Sequence, residues 1–570
     1  MSTSASAEQV QIPDGFRLHT ENTSHILLSA NEAFLNPVQE FNRDLSIACI
    51  RTWSDDLNKV KEEKWKVALE KRLARKRLKK NDGRSVVTGS GNEGDLAKDN
   101  ETFGLQSKDD ELKHENTYRP YNFVLLEALS ATGLRSIRYA KEIPLLRYVI
   151  ANDLSDAATA TMKRNIDLNG LGPTDAPSSD PMNENLGKVR VNEGDACTLM
   201  YNHRDNSKRV DVVDLDPYGT AAPFVDAAVQ CVNDGGLLCV TCTDLAVLAT
   251  TNFPEKCFAN YGGVSVKAEY AHEAALRLVL HSLSTSAARY GRYIEPLLSL
   301  SIDFYVRVFV RVHSGALETK KALTKAANYY ICSHCQSWYE QPLGRTVEKV
   351  HQKSGQVNHL FKTQAGPTVS EKCPECESTL HIAGPMWSGP LHDSAFVGRV
   401  LEHLQHNTDH YGTAVRMKGM LTVAKEEIST PFYFTPSKLA SAFHCCSPSL
   451  NNLASALLHA GHKVSRSHAC PGSLKTTAPQ KDIHDVMRGW IQKNPVKMEN
   501  ISEGSPARKL LAKESHLQVN FKQHPDSITP SSEIKLVRYQ QNPTSNWGPG
   551  TKAISGSGNK RKRNDEATDN

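Results

Sequence analysis

The sequence lacks several features that would place the chain in a membrane or outside the cell. None of its apolar runs approaches the roughly 18 residues that a membrane-spanning helix needs. Three acidic residues and no apolar stretch precede residue 22, so neither a secretory signal nor a typical mitochondrial leader is evident. We therefore expect no membrane anchor. The sequence also contains no internal repeat.

A disulfide scaffold is also excluded, and the positive charge is unevenly placed. Thirteen cysteines, an odd number in a chain of 570 residues, favour a reducing compartment. The net charge is only +5, yet Lys59–Arg84 holds twelve Lys and Arg residues against four acids, and Lys560–Arg563 is entirely basic. Such runs indicate nuclear import or phosphate contacts. For Lys59–Arg84, a solvated helix face remains the alternative.

A chain of this length predicts two to four domains. Composition and the alternation of strand and helix patterns divide it into five parts. These are an N-terminal segment (1–55), a basic and largely disordered insert (56–118), an α/β domain (119–320), a smaller α+β domain with cysteine pairs and helices (321–500), and a flexible basic tail (501–570).

An acidic residue, a proline, an aromatic and a glycine follow the apolar strand that begins at Val210. Asp216 can accept a hydrogen bond from an exocyclic amine, and the fixed φ of Pro217 turns backbone carbonyls toward the same group. Tyr218 offers a stacking face for a base, and Gly219 permits a sharp turn. This combination suits methyl transfer to a planar amine, although Asp-Pro is also ordinary turn chemistry.

A nucleotide-binding pattern lies upstream of this loop. A buried strand over 123–129 leads through the small-residue turn 130–133 into a helix, which places a ligand at the helix N-terminus. Asp153 ends the next strand twenty residues after Gly133, the offset of an acid that binds ribose hydroxyls. Asp195, with Ala196 after it, follows a third strand and suits the adenine amino group.

The turn lacks the GxGxxG pattern, which argues against a dinucleotide with its pyrophosphate. S-adenosylmethionine has no phosphate and tolerates the looser turn. The order of turn, ribose acid, adenine acid and Asp-Pro-Tyr loop therefore predicts a Rossmann-like, S-adenosylmethionine-dependent amino-methyltransferase. An α/β domain with incidental acids is the alternative. Further strands are predicted over Gly236–Thr241 and Ser299–Val312, and helices over Lys438–Phe443 and Leu450–Ala460.

Four cysteines form two Cys-x-x-Cys pairs, Cys332 with Cys335 and Cys373 with Cys376. This spacing can bring four thiolates around one tetrahedral Zn²⁺, a structural site with no open position. The long gap between the pairs requires a loop that bulges out around Gly355. A redox pair is the competing interpretation. We interpret the remaining cysteines as small core residues.

Several of these motifs resemble the tRNA guanine-N2 dimethyltransferases that modify position 26, in their eukaryotic form. The resemblance covers most of the chain from about residue 30 to 490 and two short motifs near the end. It is carried by Phe34–Pro37, Asn42–Asp44, Ala128–Arg138, Asp214–Gly219, Thr241–Asp244, Gly384–Pro390, Lys535–Pro543 and Asn546–Pro549. It implies a class I methyltransferase domain, a smaller C-terminal domain, and two successive methylations of one guanine amino group.

The resemblance also implies roles for single residues. Asp216 matches the catalytic acid, and Phe34 matches an aromatic that helps to hold the guanine. Residues that match cofactor contacts are Arg43, Arg135, Asp153, Asp195 and Ala196. The family often has Tyr after the Phe, and this chain has Leu35 instead, which puts the contribution of a second ring in doubt.

The expected partner is tRNA, with no membrane and no obligate protein partner. Lys475 is a candidate tRNA contact, with a solvated loop as an equal alternative. We expect a nuclear location and leave the mitochondrion open as a second one. Two other function classes remain: an amino-methyltransferase for DNA adenine or protein glutamine, and a non-catalytic zinc-containing RNA-binding or folding-assistance protein.

Overall fold

The computed structural model describes residues 12–29, 35–82, 117–173 and 186–533; the side chains of α-helical residues 76–82 are not described. Several sequence-based expectations fall outside this part of the chain. They concern Phe34, most of the predicted disordered insert, and the predicted tail beyond residue 533 with the motifs Lys535–Pro543 and Asn546–Pro549 and the basic run Lys560–Arg563.

Strands and short β-hairpins occur along most of the described chain. The strands are β1 (Phe16–Glu21), β2 (Ser24–Ser29), β3 (Phe123–Glu127), β4 (Leu146–Asp153), β5 (Val189–Glu193), β6 (Val210–Leu215), β7 (Val232–Cys242), β8 (Arg292–Ile302), β9 (Tyr305–Ser314), β10 (Ala326–Cys332), β11 (Trp338–Pro342), β12 (Gly344–Val350), β13 (Val357–Thr363), β14 (Leu380–Trp387), β15 (Val464–Arg466) and β16 (Leu474–Thr476).

Helices separate the strands of the first half and dominate the second. The α-helices are α1 (Glu40–Asp82), α2 (Leu134–Glu142), α3 (Asp156–Leu168), α4 (Ala196–Asn202), α5 (Ala222–Cys231), α6 (Leu245–Leu248), α7 (Pro254–Tyr261), α8 (Ala271–Ala288), α9 (Ala316–Lys320), α10 (Ser394–His406), α11 (Ala414–Glu426), α12 (Pro436–Phe443), α13 (Leu450–His459), α14 (Gln480–Lys493), α15 (Pro506–Ala512) and α16 (Pro530–Glu533). None of the helices described is both long and apolar enough to cross a membrane.

The largest sheet has seven strands in the order β5-β4-β3-β6-β7-β9-β8. The first five strands are parallel to one another, whereas β9 runs antiparallel to both β7 and β8. Strand order proceeds outward in both directions from the adjacent pair β3 and β6. This doubly wound arrangement confirms the predicted Rossmann-like α/β class, in which ligands bind in the crevice at the carboxyl ends of the strands where the order reverses, here β3 and β6.

The parallel strands form where apolar runs are continuous. All six residues of β6 are buried, as expected for a strand covered by helices on both faces. The predicted strands over 123–129 and 236–241 are confirmed as β3 and β7, and the strand predicted to end at Asp153 is confirmed as β4. The predicted helices over 438–443 and 450–460 are confirmed as α12 and α13, within a few residues.

The single strand predicted over Ser299–Val312 is wrong. The segment belongs to an antiparallel hairpin of β8 and β9, in which Ile302 pairs with Tyr305. Asp303 turns the chain with a φ of +43°, a left-handed conformation that aspartate tolerates, and Phe304 is 53% exposed. The turn contains no glycine or proline and is flanked by apolar residues on both sides, so it left little signal in the sequence.

Apolar cores lie on both faces of the sheet. One core includes buried residues of α5 and α8, and the other includes residues of α1, α2, α10 and α11. Helix α1 begins at Glu40 and continues across the predicted boundary between residues 55 and 56. Helices α10 and α11 follow residue 320, yet they pack in the same core as α1. The sheet is therefore covered by segments from three of the predicted parts.

A third core holds the C-terminal part together. The four paired cysteines pack there with α12, α13 and α14. Strand β10 joins this part to the seven-stranded sheet, because it forms the three-stranded sheet β11-β10-β14 and also contributes Ala327 and Tyr329 to the first core. Strands β12 and β13 form a separate two-stranded hairpin.

Lys475 is not a surface residue, which excludes it as a tRNA contact in this structure. The residue is 1% exposed, and its Nζ lies 3.1 Å from carboxylate oxygens of both Glu273 and Glu427. Glu273 belongs to α8 and also binds Arg277, while Glu427 follows α11. The lysine on β16 therefore joins the C-terminal part to the α/β domain through a buried ion cluster.

We expect Lys475→Met to lower the free energy of unfolding by about 3–5 kcal/mol, because two buried carboxylates lose a compensating charge. The control Lys463→Met removes an exposed lysine just before β15 and should change stability by less than about 0.5 kcal/mol. Urea unfolding followed by tryptophan fluorescence measures both. Equal effects of the two substitutions would contradict the role of Lys475, and adding Glu427→Gln should recover part of the loss.

Candidate active site and cysteine cluster

The turn after β3 and the loop after β6 meet at the carboxyl edge of the sheet. Ala131 and Gly133 in the turn have positive φ values of 46° and 78°. The Gly133 N–H donates to the Ser130 carbonyl at 2.8 Å. Asp153, at the end of β4, accepts the Ala131 N–H on Oδ2 at 2.9 Å and the Ser155 N–H on Oδ1 at 3.1 Å. The predicted ribose acid therefore also fixes the shape of the turn.

Asp216 faces the same edge and is held by one guanidinium. Arg135, in the first turn of α2, donates from Nη2 to Asp216 Oδ2. The arginine is buried and also lies 3.7 Å from Glu127 and 3.6 Å from Asp214. Burial alone would lower the pKa of Arg135, but the surrounding carboxylates raise it well above its ordinary value. The Asp216 side chain remains 16% exposed, so it is the acid of this group that can reach a ligand.

Beneath Asp216 lies a fully buried polar network. Asp214 binds Arg307 Nη1 at 2.7 Å and accepts the Tyr139 hydroxyl at 2.5 Å. Although burial opposes ionisation, these partners and Arg135 keep the pKa of Asp214 below its ordinary value. Ser46 Oγ of α1 accepts from Arg307 at 2.8 Å and from Arg135 at 3.2 Å. The N-terminal helix is therefore part of the site.

The loop after Asp216 is anchored on its far side. Gly219 has a φ of +90°, and its N–H donates to Thr243 Oγ1 at 2.8 Å, while the Thr243 N–H donates to the Gly219 carbonyl at 2.8 Å. The Tyr261 hydroxyl lies 2.7 Å from both Thr220 Oγ1 and Asp244 Oδ1. Tyr218, between the anchors, is 83% exposed. The loop is thus held by hydrogen bonds after Tyr218, and the Tyr218 ring is exposed to solvent.

Asp195 and Ala196 lie at the end of β5, on the side of the crevice beyond β4. Asp195 is exposed and caps α4 by accepting the Thr198 N–H at 2.7 Å, a bond that lowers the pKa of its carboxyl. Ala196 is buried. Asn152 joins the neighbouring strand ends, because its Nδ2 donates to the carbonyls of Ala128 at 2.9 Å and Gly194 at 3.1 Å.

Arg43 is buried and directed toward the N-terminal hairpin. Its Nε donates to Glu21 Oε2 at 2.7 Å, and its Nη2 binds the other oxygen of the same carboxylate. Burial would raise the pKa of Glu21, but hydrogen bonds from His19 and the charges of Arg43 and Arg138 hold it far below its ordinary value. The two arginines predicted to contact the cofactor therefore have different partners in this structure. Arg43 hydrogen-bonds Glu21, and Arg135 hydrogen-bonds Asp216.

The buried polar residues that lie beneath Asp216 were not predicted from the sequence. Asp214, Arg307 and Ser46 were not predicted as site residues, nor was Thr243, although the resemblance motifs included two of these positions. Arg307 had a usable signal, because an arginine stands there among the apolar residues of β9. An arginine in a buried strand needs a carboxylate partner. Which carboxylate it would meet depended on strand order.

The two Cys-x-x-Cys pairs form one buried cluster. Measured across the pairs, Sγ–Sγ distances are 3.3 Å for Cys332–Cys376, 3.7 Å for Cys335–Cys373 and 3.6 Å for Cys335–Cys376. These separations are far longer than the roughly 2.05 Å of a disulfide. They are close to the approximately 3.8 Å expected between thiolates bound at 2.3 Å to one tetrahedral Zn²⁺.

Each pair lies in a similar turn. After the second cysteine, Gln336 and Glu377 have φ values of 57° and 58°. Ser337 and Ser378 then place their hydroxyls 3.1 Å and 3.3 Å from the nearby sulfur. His334 and His381 are not part of the cluster. Of the other cysteines, Cys446 is exposed, so the prediction of a small core residue is wrong there. Cys197, Cys445 and Cys470 are partly buried and pack against the apolar cores.

A second group of possible metal ligands, His392, Glu427 and His468, is better explained as a hydrogen-bond network. The Ser301 N–H donates to His468 Nε2 at 3.1 Å, which leaves the proton on Nδ1, 2.6 Å from Glu427. The nitrogen that faces the carboxylate is therefore a donor and not a metal ligand. The Lys475 ammonium on the same carboxylate further disfavours a cation.

The sheet order and this crevice define a Rossmann-like α/β protein of the methyltransferase type. Its fold is similar to that of Trm1 from Pyrococcus horikoshii, solved in complex with S-adenosyl-L-methionine, with a TM-score of 0.57. The match covers 82% of this chain and 99% of that chain, at 23% sequence identity.

Sequence relatives give the family. A model described as N2,N2-dimethylguanosine tRNA methyltransferase matches residues 15–488. Proteins named tRNA (guanine(26)-N(2))-dimethyltransferase from Schizosaccharomyces pombe and Homo sapiens are each 42% identical, over 94% of this chain and over 92% and 78% of their own lengths. A Saccharomyces cerevisiae protein with the same name and the word mitochondrial is 41% identical over 96% of this chain and 94% of its own. The chain belongs to the N2,N2-dimethylguanosine tRNA methyltransferase family.

We expect Thr243→Val to loosen the loop that carries Asp216. The Gly219 N–H would lose its acceptor, at a cost of about 1–2 kcal/mol, so its amide should exchange roughly 5- to 30-fold faster with solvent. Hydrogen exchange with mass spectrometry of the peptide around Gly219 measures this. Thr250→Val, at a partly buried threonine just after α6 whose hydroxyl donates to the Ala246 carbonyl, is the control. Unchanged exchange in Thr243→Val would refute the anchoring role.

Proposed function

We propose that the chain transfers methyl groups from S-adenosylmethionine to the N2 amino group of guanine 26 in tRNA, first to monomethyl- and then to dimethylguanosine. Membership of the family supports the reaction and favours tRNA over DNA or protein acceptors. The observation that carries the proposal is the anchored Asp216-Pro-Tyr-Gly loop, which places a partly exposed carboxylate and an exposed aromatic ring at the switch point of the sheet.

The main chemical task is alignment. The lone pair of the guanine amino group is delocalised into the ring, which makes the nitrogen a poor nucleophile. Bound S-adenosylmethionine supplies a sulfonium methyl group that is already a good electrophile. Asp216 accepts an N–H of the amine, increases electron density on nitrogen and stabilises the developing positive charge. Tyr218 stacks on the base, and orientation of this kind supplies several of the roughly 7–11 kcal/mol available from ideal proximity.

Arg135 acts on the reaction through Asp216. The guanidinium donates to one carboxylate oxygen of Asp216 and fixes the orientation of that carboxylate, which leaves the second oxygen for the amine. Asp153 would hold the ribose of the cofactor, because each of its oxygens accepts one backbone N–H and keeps a second lone pair. Asp195 and Ala196 would hold the adenine. Arg43 and Arg135 are further cofactor contacts implied by the family.

The same pocket can act twice. After one transfer the nitrogen keeps one hydrogen, which Asp216 can again accept once the cofactor has been exchanged. Room for the first methyl group is provided by Gly219, whose Cβ position has no neighbour within 4 Å. Ala221, the other small residue of this loop, is fully buried in the first core. Phe34 is proposed to hold the guanine on the strength of the family resemblance, and Leu35 replaces a ring often found next to it.

The cysteine cluster is proposed to bind one structural Zn²⁺. Four buried sulfurs at these separations match a tetrahedral Cys₄ site, and none of the four positions remains open for a substrate. The metal would hold the ends of β10 and β14 against the helices of the third core, and so would stabilise the C-terminal part.

Affinity for tRNA is proposed to come from basic side chains and to fall with salt. The second half of α1 exposes most of its side chains up to Arg75 and continues the basic run Lys59–Arg84. The target amine lies in folded RNA, so local opening or extrusion of the base is expected. We propose a nuclear location from the basic runs, and the name of the Saccharomyces cerevisiae relative supports a mitochondrial one as well.

Replacing Asp216 by Ala should lower kcat for methyl transfer by about 10²–10⁴-fold, because the amine loses its acceptor. Labelled S-adenosylmethionine and unmodified tRNA transcripts, digested to nucleosides after reaction, measure mono- and dimethylguanosine separately. Asp156→Ala, an exposed acid near the same strand ends, should retain wild-type activity. Transfer by the wild type to DNA or protein but not tRNA would contradict the proposed substrate, and full activity of Asp216→Ala would contradict the catalytic role.

The wild-type chain should contain one zinc per molecule, and Cys373→Ser should lose it. Three ligands hold the metal poorly, and loss of a structural zinc site removes folding energy, so we also expect a lower unfolding temperature. Mass spectrometry of elements measures zinc, and thermal unfolding measures stability. Cys446→Ser changes an exposed cysteine outside the cluster and should leave both unchanged. A zinc-free, stable wild type would disprove the metal.

A further inference from the structure

The hairpin of β12 and β13 projects from the cysteine-containing part of the molecule. It lies between the two Cys-x-x-Cys pairs, where the sequence predicted a bulge around Gly355, and Gly355 is in its turn with a φ of +65°. Seven residues in each strand give an arm about 24 Å long. Its base is fixed where the Leu343 N–H donates to the Ala326 carbonyl at 2.9 Å and Gly344 packs on Leu323.

The two strands expose most of their side chains, which is unusual for a hairpin that has to be stable. Val350 and Val357 pair with each other near the tip and are 63% and 44% exposed. A two-stranded hairpin without a packed face is only marginally stable in water. Because the hairpin nevertheless keeps a regular register over seven residue pairs, we expect that a partner covers it.

The positive charge of the arm is concentrated on one face. Residues that pair directly across an antiparallel hairpin share a face, so Arg345, Lys362, Lys349, Val347 and Leu360 lie together. The three cations are exposed, and no ion pair or side-chain hydrogen bond is formed by them within the described residues. No acid shares this face.

The opposite face is different in charge. It carries Glu348, whose carboxylate lies 3.6 Å from His359 of the paired strand. The turn exposes the titratable side chain of His351 and the positively charged side chain of Lys353. Charge therefore distinguishes the two faces, and the basic face continues toward the tip.

We propose that the basic face of this hairpin binds the sugar-phosphate backbone of the substrate tRNA, an inference that rests on the proposed function. Cations held on a pleated strand and free of internal partners match the regularly spaced phosphates of an RNA strand. The deep, narrow major groove of A-form RNA prevents side chains from reading its bases, so the hairpin contributes affinity and not sequence recognition. It is an anchoring arm separate from the Asp216 site.

The test changes Arg345, Lys349 and Lys362 to Gln in the full-length chain. Loss of three phosphate contacts should reduce the slope of log Kd against log salt by about 2–3 and weaken tRNA binding roughly 10- to 100-fold at 0.1 M salt. KM for tRNA should rise by a similar factor, while kcat at saturating tRNA stays within about twofold. Fluorescence anisotropy with an unmodified tRNA transcript measures binding over a series of salt concentrations.

The matched control changes Thr346, Val350 and Thr363 of the opposite face to Gln, which alters the same hairpin without altering its charge. We expect wild-type affinity and salt slope from this control. An unchanged slope in the charge variant, or an equal loss in both variants, would overturn the inference. Because binding is measured without turnover, a chain that binds tRNA through the hairpin but does not methylate it would support this inference and contradict the proposed function.

Discussion

The compensation of buried carboxylates by guanidinium groups is the constraint on which the candidate site depends. Asp214 lies in the middle of the sheet, and an uncompensated charge there would cost several kcal/mol. Arg307 from β9 and Arg135 from α2 supply the compensation, and Ser46 from α1 orients both. Three segments that are distant in sequence are thereby fixed against one strand end. Arg135, which these contacts hold in place, also donates to Asp216 at the edge of the crevice.

The same principle joins the C-terminal part to the catalytic domain. Lys475 reaches from the β15–β16 hairpin to Glu273 of α8, and Glu427 completes the cluster. Apolar packing alone would tolerate small sliding of the two parts, whereas a buried ion cluster has few arrangements that satisfy its charges. The position of the cysteine cluster and its projecting hairpin relative to the crevice is therefore well determined. This matters for a substrate large enough to contact both regions.

Local signals predicted the elements and part of the site, and long-range pairing determined the rest. Continuous apolar runs that end in Asp153 and Asp216 were sufficient to place both acids at one edge of a parallel sheet. Nothing local shows that Arg307 meets Asp214, because that contact depends on β9 inserting between β7 and β8. Lys475 was misread for the same reason. A lysine among small polar residues is typical of a surface loop, and its two carboxylate partners lie about fifty and two hundred residues upstream.

The loop geometry implies a division between chemistry and affinity. Asp216, Gly219 and Thr220 are held by Arg135, Thr243 and Tyr261, so the loop has little freedom to close over a substrate. Tyr218 is already exposed, and a base has to come to it. A guanine inside a folded tRNA must lose its stacking first, which consumes free energy that one aromatic contact of about 1–3 kcal/mol does not fully return. The balance has to come from contacts far from the amine. We propose that phosphate-binding side chains on other parts of the surface provide such contacts, which would vary in strength without changing the proposed alignment of nitrogen with the Asp216 carboxylate.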